Sequence, residues 1–332
     1  MPMIKRKIFI STVPFGAADP KPLETMASSD ISYTINPKGR RLKEDELAQI
    51  IEPYSVLIAG TEPITEKIMD NAPNLRLIAR VGIGVDNVDL LAARERNIAV
   101  SYTPDAPTLA VGELTLGLMI SLLREIPRSD RGMRGGEWWR VQGRRLAECT
   151  VGIIGVGRIG KTVIKHLTGA FPGIKILAND TDPDLNFGEQ HKLRWTDKET
   201  IYRNCDIITL HVPLTPETRG MISKHDLELM KSDAVIINTA RGGIISENDL
   251  ATALRQSSIG GAAIDVFSEE PYSGELTKLE NCVLTCHMGS MTQDCRARME
   301  CEATDEAVHF LQNGNQRMAV PESEYAVAEM LR

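Results

Sequence analysis

The chain has 332 residues, with 38 Lys and Arg against 45 Asp and Glu, a net charge of −7, and 42% hydrophobic and 5% aromatic residues. At ~150 residues per domain this makes roughly two domains with buried cores, and the composition excludes bulk disorder. The acidic balance argues against nucleic acid as a partner, which calls for a basic surface, and no apolar run reaches the ~20 residues of a membrane span.

The start, MPMIKRKIFIST, reads as a short basic cluster and a first strand rather than a secretory signal. Strands are expected at KIFIST (7–12), ISYTIN (31–36), SVLIAG (55–60), LRLIARVG (75–82) and IAVSYT (98–103), with helices at 42–51, 64–72 and 89–97 between them. Next comes a helix over 111–123 that is apolar almost all round and is expected to be buried, either inside a domain or at a subunit interface. The basic stretch from Arg124 to Arg145 reads as a solvated helix end and loop, with substrate steering or subunit contact as the alternative. From Thr150 the alternation restarts, with strands TVGIIG, IKILAND, CDIITLHV, AVIINTA, GGAAIDVF and NCVLTCH and helices near 158–170, 197–204, 223–231 and 246–256. Strands separated by helices predict two α/β units with parallel sheets. AVHFLQNG (307–314) is the clearest helix of a tail too short to be a domain alone.

Six cysteines, at 149, 205, 282, 286, 295 and 301, lack a framework spacing and are expected to be reduced thiols in the cytoplasm. Cys282, Cys286 and His287 raise the question of a metal. CVLTCH reads as a strand with Cys282, Leu284 and Cys286 on one face, so no metal is expected.

VGIIGVGRIG (151–160) carries Gly155, Gly157 and Gly160 in a G-x-G-x-x-G spacing between a strand and a helix. Such a loop turns tightly, lets backbone approach a pyrophosphate, and aims a helix N-terminus at it. Asp180 ends the next strand, where an acid bonds the ribose hydroxyls and repels a 2′-phosphate, so NAD is expected over NADP. As an alternative, Asp180 is a turn residue only.

Arg241, Glu270 and His287 lie at expected strand ends beyond this loop. Arginine grips a carboxylate, histidine exchanges a hydroxyl proton, and a carboxylate orients that histidine. Singly, each also fits a structural or solvated role, and spacing does not choose between the two.

Together with APNLRLIARVGIGVDNVDL, AVGELTLGLMISLLR, LHVPLTPETRGMIS, INTARGGIISENDL, AAIDVFSEEP and LTCHMGS, these motifs resemble the D-isomer-specific 2-hydroxyacid dehydrogenase family, which includes 3-phosphoglycerate dehydrogenase. The resemblance implies two doubly wound parallel-sheet α/β domains: a Rossmann domain at 104–290 inserted into a flavodoxin-like substrate domain at 1–103 and 291–332, with the active site in the cleft. It implies hydride transfer between NAD and a D-2-hydroxy or 2-keto acid, with Arg241, Glu270 and His287 catalytic and the backbone amides of Val81 and Gly82 holding the substrate carboxylate. It implies pyrophosphate contacts from Arg158 and Ile159, and Pro213, Ala240 and Asp265 lining the nicotinamide and ribose. It also implies a homodimer through the nucleotide domain. An NAD(H)-sensing corepressor and a formate- or phosphite-type dehydrogenase share the fold.

The sequence departs from the family at Cys286, where proline is usual, and at Pro107. It also departs at the AGTE turn of 59–62, which lacks the arginine that phosphoglycerate dehydrogenases often place there; Arg134, Arg140 and Arg144 are alternative phosphate cations. The length is expected to leave no room for a C-terminal serine-sensing domain.

Overall fold

A computed structural model describes residues 7–331; the basic cluster before Lys7 lies outside them. The chain forms two compact units, one from the segment up to Pro107 together with that from Ser290 onward, the other from Thr108–Gly289.

The first unit opens with β1 (Lys7–Ile10), α1 (Lys21–Ser28), β2 (Ser32–Ile35), α2 (Glu44–Ile50), β3 (Val56–Ala59), α3 (Glu66–Asp70), β4 (Leu77–Arg80), α4 (Leu90–Glu95) and β5 (Ala99–Ser101). The strands pair in parallel in the order β2-β1-β3-β4-β5, the flavodoxin-like arrangement. Every residue of β3 (VLIA) and β4 (LIAR) is buried, as expected for strands covered on both faces. Asp89 caps α4 by accepting the Ala92 N–H at 2.9 Å. Helix α1 was not expected. Its prolines, at the cap and within the first turn, mask it in the sequence, yet a first turn tolerates proline and Met26 is buried below it.

The second unit runs through α5 (Thr108–Leu123), α6 (Ile126–Arg134), β6 (Thr150–Ile154), α7 (Arg158–Ala170), β7 (Lys175–Asn179), α8 (Leu185–Gln190), β8 (Arg194–Trp195), α9 (Lys198–Asn204), β9 (Ile207–Leu210), α10 (Lys224–Leu229), β10 (Val235–Asn238), α11 (Glu247–Arg255), β11 (Gly261–Ile264) and β12 (Cys282–Leu284). Its parallel sheet has the order β12-β11-β10-β9-β6-β7-β8. From β6 the chain winds outward to β7 and β8, then returns to β9 and winds the other way. The switch point therefore lies between β6 and β9, where Ile154 pairs with Leu210. Val163, Ile164 and Leu167 of α7 pack into the core beneath it.

Within the chain, the helix expected to be buried in a domain or at a subunit interface is buried on one face. Val111, Thr115, Leu118 and Met119 of α5 are buried, whereas Leu109 is 58% exposed and Leu116 and Ile120 are half-buried. The strand in NCVLTCH ends at Leu284, so Cys286 does not share a strand face with Cys282; Cys286 is exposed and Cys282 buried. Much of the basic stretch is paired internally: Arg134 with Asp130 at 2.8 Å and Arg144 with Asp233 at 2.8 Å, while Arg128 lies over the Trp139 ring.

The chain then returns to the first unit as α12 (Gln293–Asn313) and α13 (Glu322–Leu331). Helix α12 is far longer than the expected 307–314. Thr292 caps its start, and Gly314 ends it in the left-handed region at φ 75°. It packs against β3, β4 and α1.

Candidate active site

The glycine turn leaves β6 at the switch point. Gly155 has φ 92°, and a Cβ there would sit 2.5 Å from the His211 carbonyl oxygen; a Cβ on Gly160 would sit 2.1 Å from the Gly155 carbonyl oxygen. Both are glycine because the backbone packs against itself. Gly157 differs: it caps α7, and nothing lies within 4 Å of a Cβ built there. The turn thus leaves an open cradle at the start of a 13-residue helix whose first N–H groups lack helical partners. Arg158, exposed, and Ile159, half-buried, follow as its first residues. A diphosphate fits this combination of open space, unspent donors and positive dipole end.

Asp180 directly follows β7. Its carboxylate accepts the Val156 N–H at 2.6 Å and the Asp182 N–H at 3.0 Å, so it braces the turn. A carboxylate offers about four lone-pair sites, which leaves acceptors for a diol. Across the switch point His211 is held by Thr209 Oγ1 at 3.0 Å from Nε2, while its buried Nδ1 has no partner. Burial pushes this imidazole down to about 3, so it is neutral. Pro213 follows, exposed, with its carbonyl accepting Thr218 Oγ1 at 2.6 Å.

Strands β10, β11 and β12 are neighbours, and each delivers one residue of the expected set beyond its C-terminal end: Arg241, Glu270 and His287. His287 Nδ1 lies 2.9 and 3.1 Å from the two Glu270 oxygens, and Glu270 Oε1 also accepts the Phe267 N–H at 3.1 Å. His287 itself has φ 52°, an uncommon conformation for a residue with a side chain. Arg241 is set by its turn. Asn238 accepts the Ala240 N–H at 3.0 Å and donates to the Arg241 carbonyl at 2.8 Å, and Arg241 Nη1 donates to the Ala240 carbonyl at 2.7 Å. Ala240 is buried here. Asp265, 1% exposed, accepts Thr285 Oγ1 at 2.5 Å, the Met288 N–H at 2.9 Å and the Gly289 N–H at 3.1 Å.

In the first unit, the two amides expected to hold a carboxylate are already spent. Val81 N–H donates to the Ala59 carbonyl at 2.9 Å and Gly82 N–H to Thr103 Oγ1 at 2.9 Å. Among the described residues, the next two amides, of Ile83 and Gly84, have no hydrogen-bond partner. The loop is shaped by Arg80, the last residue of β4. Its buried guanidinium donates to the carbonyls of Ala59, Gly60, Val81 and Gly84. In the arginine-less 59–62 turn, the buried Glu62 accepts from the Gly60 N–H and from Ser11 Oγ. Neither Asn238 nor the Ile83–Gly84 amides carried a sequence signal, since both depend on which backbone groups remain unpaired.

A doubly wound parallel sheet with a glycine cradle at its switch point defines a Rossmann-type dinucleotide-binding fold, and a histidine–carboxylate pair lies on the same edge. Residues 116–289 match the NAD-binding domain family of D-isomer specific 2-hydroxyacid dehydrogenases. The chain is 40% identical over 261 residues to D-3-phosphoglycerate dehydrogenase of Methanocaldococcus jannaschii, covering 77% of this chain and 49% of that one. It is 37% identical over 263 residues to glyoxylate reductase of Thermococcus litoralis, covering 76% and 79%. The crystal structure of the TT0316 protein from Thermus thermophilus superposes with a TM-score of 0.85 at 31% identity, covering 94% of this chain and 99% of that one. The chain belongs to the D-isomer-specific 2-hydroxyacid dehydrogenase family. It spans about half the length of the phosphoglycerate dehydrogenases it matches.

Proposed function

We propose that the protein interconverts a small D-2-hydroxy acid and its 2-keto acid, with NAD as the hydride carrier. The observation that carries this reading is the His287–Glu270 pair, one strand away from Arg241 on the sheet edge that holds the glycine cradle. Bound at the cradle, the dinucleotide supplies or accepts the hydride at the substrate C2. His287 exchanges the C2 hydroxyl proton through Nε2, the ring nitrogen that Glu270 leaves open. Glu270 keeps Nδ1–H toward itself and stabilises the imidazolium when the proton arrives. Arg241 grips the carboxylate with parallel hydrogen bonds. Gly155, Gly157, Arg158, Ile159 and Gly160 would hold the diphosphate and Asp180 the ribose, with Pro213, Ala240 and Asp265 as the residues that would line the nicotinamide and its ribose.

Asp180 favours NAD over NADP through repulsion of a 2′-phosphate. A compact keto acid of glyoxylate size fits better than a phosphorylated one. The 59–62 turn contains a buried Glu62 instead of an arginine, and of the alternative cations Arg134 and Arg144 are tied to Asp130 and Asp233, which leaves only the exposed Arg140. A homodimer through the second unit is supported by the exposed Leu109, Ile126, Met133 and Trp138. The free thiols suit a reducing compartment such as the cytoplasm.

The test is a panel of glyoxylate, hydroxypyruvate, pyruvate and 3-phosphohydroxypyruvate with NADH and NADPH in parallel. Turnover of the small acids with NADH is expected. No turnover of any of them, or full turnover by His287→Ala, overturns the reading.

A further inference from the structure

We propose that the second unit carries a further anion site, at the opposite edge of the sheet from the glycine cradle, with the charge and size to hold a small phosphate monoester.

Strand register puts its residues on one face. Thr150 pairs with Lys175 and Gly152 with Leu177 across β6 and β7, and Leu177 pairs with Arg194 across β7 and β8. Side chains two apart on a strand share a face, so Thr150, Lys175, Leu177 and Arg194 point the same way. Helix α9 covers this face, because a Cβ on Gly152 would lie 2.4 Å from Ile201 and 2.9 Å from Cys205 Sγ. Beside that close contact a cavity of about 270 Å³ opens between α9 and the strands, lined by Thr150, Lys175, Leu177, Arg194, Thr200 and Asn204. Thr150 and Lys175 begin their strands, whereas the cradle and Asp180 follow the far ends, roughly 16 Å away at the rise of a strand.

The charges of this cavity are not balanced within the chain. Lys175 and Arg194 lie on neighbouring strands two residues out of register, which puts their Cα atoms about 8 Å apart on one face. Like charges so placed repel. Among the described residues neither side chain has an ion pair or a hydrogen bond. The acids nearby are engaged elsewhere. Asp206 accepts the Thr150 N–H, Lys231 and Arg144, Asp197 accepts the N–H and Oγ1 of Thr200 at 2.7 and 2.8 Å, and Glu199 pairs with Arg203 at 2.8 Å. In a chain of net charge −7, two cations are thus left facing one cavity.

A bound dianion turns that repulsion into two attractions. Arg194 offers a planar fork to two oxygens and Lys175 a point charge. Thr150 Oγ1, which has no partner among the described residues, adds a hydroxyl, and Asn204 Nδ2 spends one hydrogen on the Thr200 carbonyl at 2.8 Å and keeps the other. The buried Leu177 gives the organic part an apolar floor. The volume exceeds the ~30 Å³ of a water severalfold and lies just under the ~300 Å³ at which drug-sized pockets begin, which suits an ester of a few carbons rather than a nucleotide.

The experiment titrates glycerol 3-phosphate into the NADH-saturated protein at constant ionic strength, by calorimetry. In parallel, lysine acetylation by an N-hydroxysuccinimide ester is mapped by peptide mass analysis, with and without NADH. A Kd below about 1 mM is expected, with inorganic phosphate weaker. Acetylation of Lys175 is expected to slow severalfold, and that of Lys165, on the helix packed against the other sheet face, to stay unchanged. Lys175→Gln and Arg194→Gln should each weaken binding about fivefold or more and together abolish it, while Lys165→Gln, the same change of charge, leaves it within about twofold. Both cations are exposed, so these variants keep the core intact. No binding up to about 10 mM, or equal binding by the double variant, overturns the proposal. Protection of Lys161, beside the cradle, in place of Lys175 also overturns it, by putting the ester in the cradle. Protection of Lys175 without NADH supports the site even if the protein turns over no keto acid.

Discussion

Nδ1 of His287 faces both oxygens of Glu270, at 2.9 and 3.1 Å, so a single carboxylate fixes the ring's orientation. A carboxylate accepts here, which places the hydrogen on Nδ1 and leaves Nε2 to exchange a proton. His287→Ala is expected to lower kcat by about 10²–10⁴-fold, the usual contribution of one general acid–base. Glu270→Gln should cost less, about 10–10²-fold. The double variant should be little worse than His287→Ala alone, because the two act as a unit. Steady-state kinetics with NADH and a keto acid check all three.

The glycines of the turn should separate into two kinds. Gly160→Ala drives a Cβ to 2.1 Å from the Gly155 carbonyl, so its melting temperature should fall clearly. Gly157→Ala meets nothing within 4 Å and should melt like the wild type while NADH binding weakens by about tenfold. Calorimetry together with fluorescence titration reads both. Equal melting temperatures for the two variants would contradict the packing argument.

Asp206 ties three chain segments together, accepting the Thr150 N–H at 2.7 Å, Lys231 at 3.0 Å and Arg144 at 3.5 Å. Burial alone would raise its carboxyl, but the Thr150 bond and the two cations outweigh it and the group sits below its ordinary value. A lowered folded value stabilises the fold above the unfolded value of about 3.9, and the effect disappears as pH falls through the folded one. Asp206→Asn should therefore cost about 1–3 kcal/mol at pH 7, with the gap to wild type narrowing as pH falls below the unfolded value of about 3.9. Thermal unfolding across pH measures this.

Thiol chemistry should be concentrated at one place. Burial pushes the Cys205 and Cys282 thiols up to about 12, whereas Cys286 is exposed next to His287. Iodoacetamide at pH 8 is expected to label Cys286 well before Cys205 or Cys282, as mapped by peptide mass analysis.

The strands were legible because a parallel sheet covered on both faces writes itself as unbroken apolar runs, as in VLIA of β3 and the VII that opens β10. Helix α7 falls on its expected 158–170 because a glycine turn marks its start and amphipathic spacing its length. Helix α8 and strand β8 escaped notice. They are short, and what holds them is tertiary: Gly188 accommodates Trp195, whose Nε1 would lie 2.3 Å from a Cβ at that position. In the site, charged side chains could be picked out by type and strand-end position. In the first unit, the engagement of the Val81 and Gly82 amides by Ala59 and Thr103 could not, because residue identity does not record which backbone groups find partners.

The return of α12 to the first unit sets an order of events during synthesis. This helix carries Met299, Ala303, Ala307, Phe310 and Leu311 into the core that β3 and β4 begin, yet the whole second unit is translated in between. At ~5–20 residues per second, the sheet face awaiting α12 stays uncovered for roughly 10–40 s, long enough to need sheltering from aggregation. The second unit, continuous in the chain, can finish its own core while the first still waits.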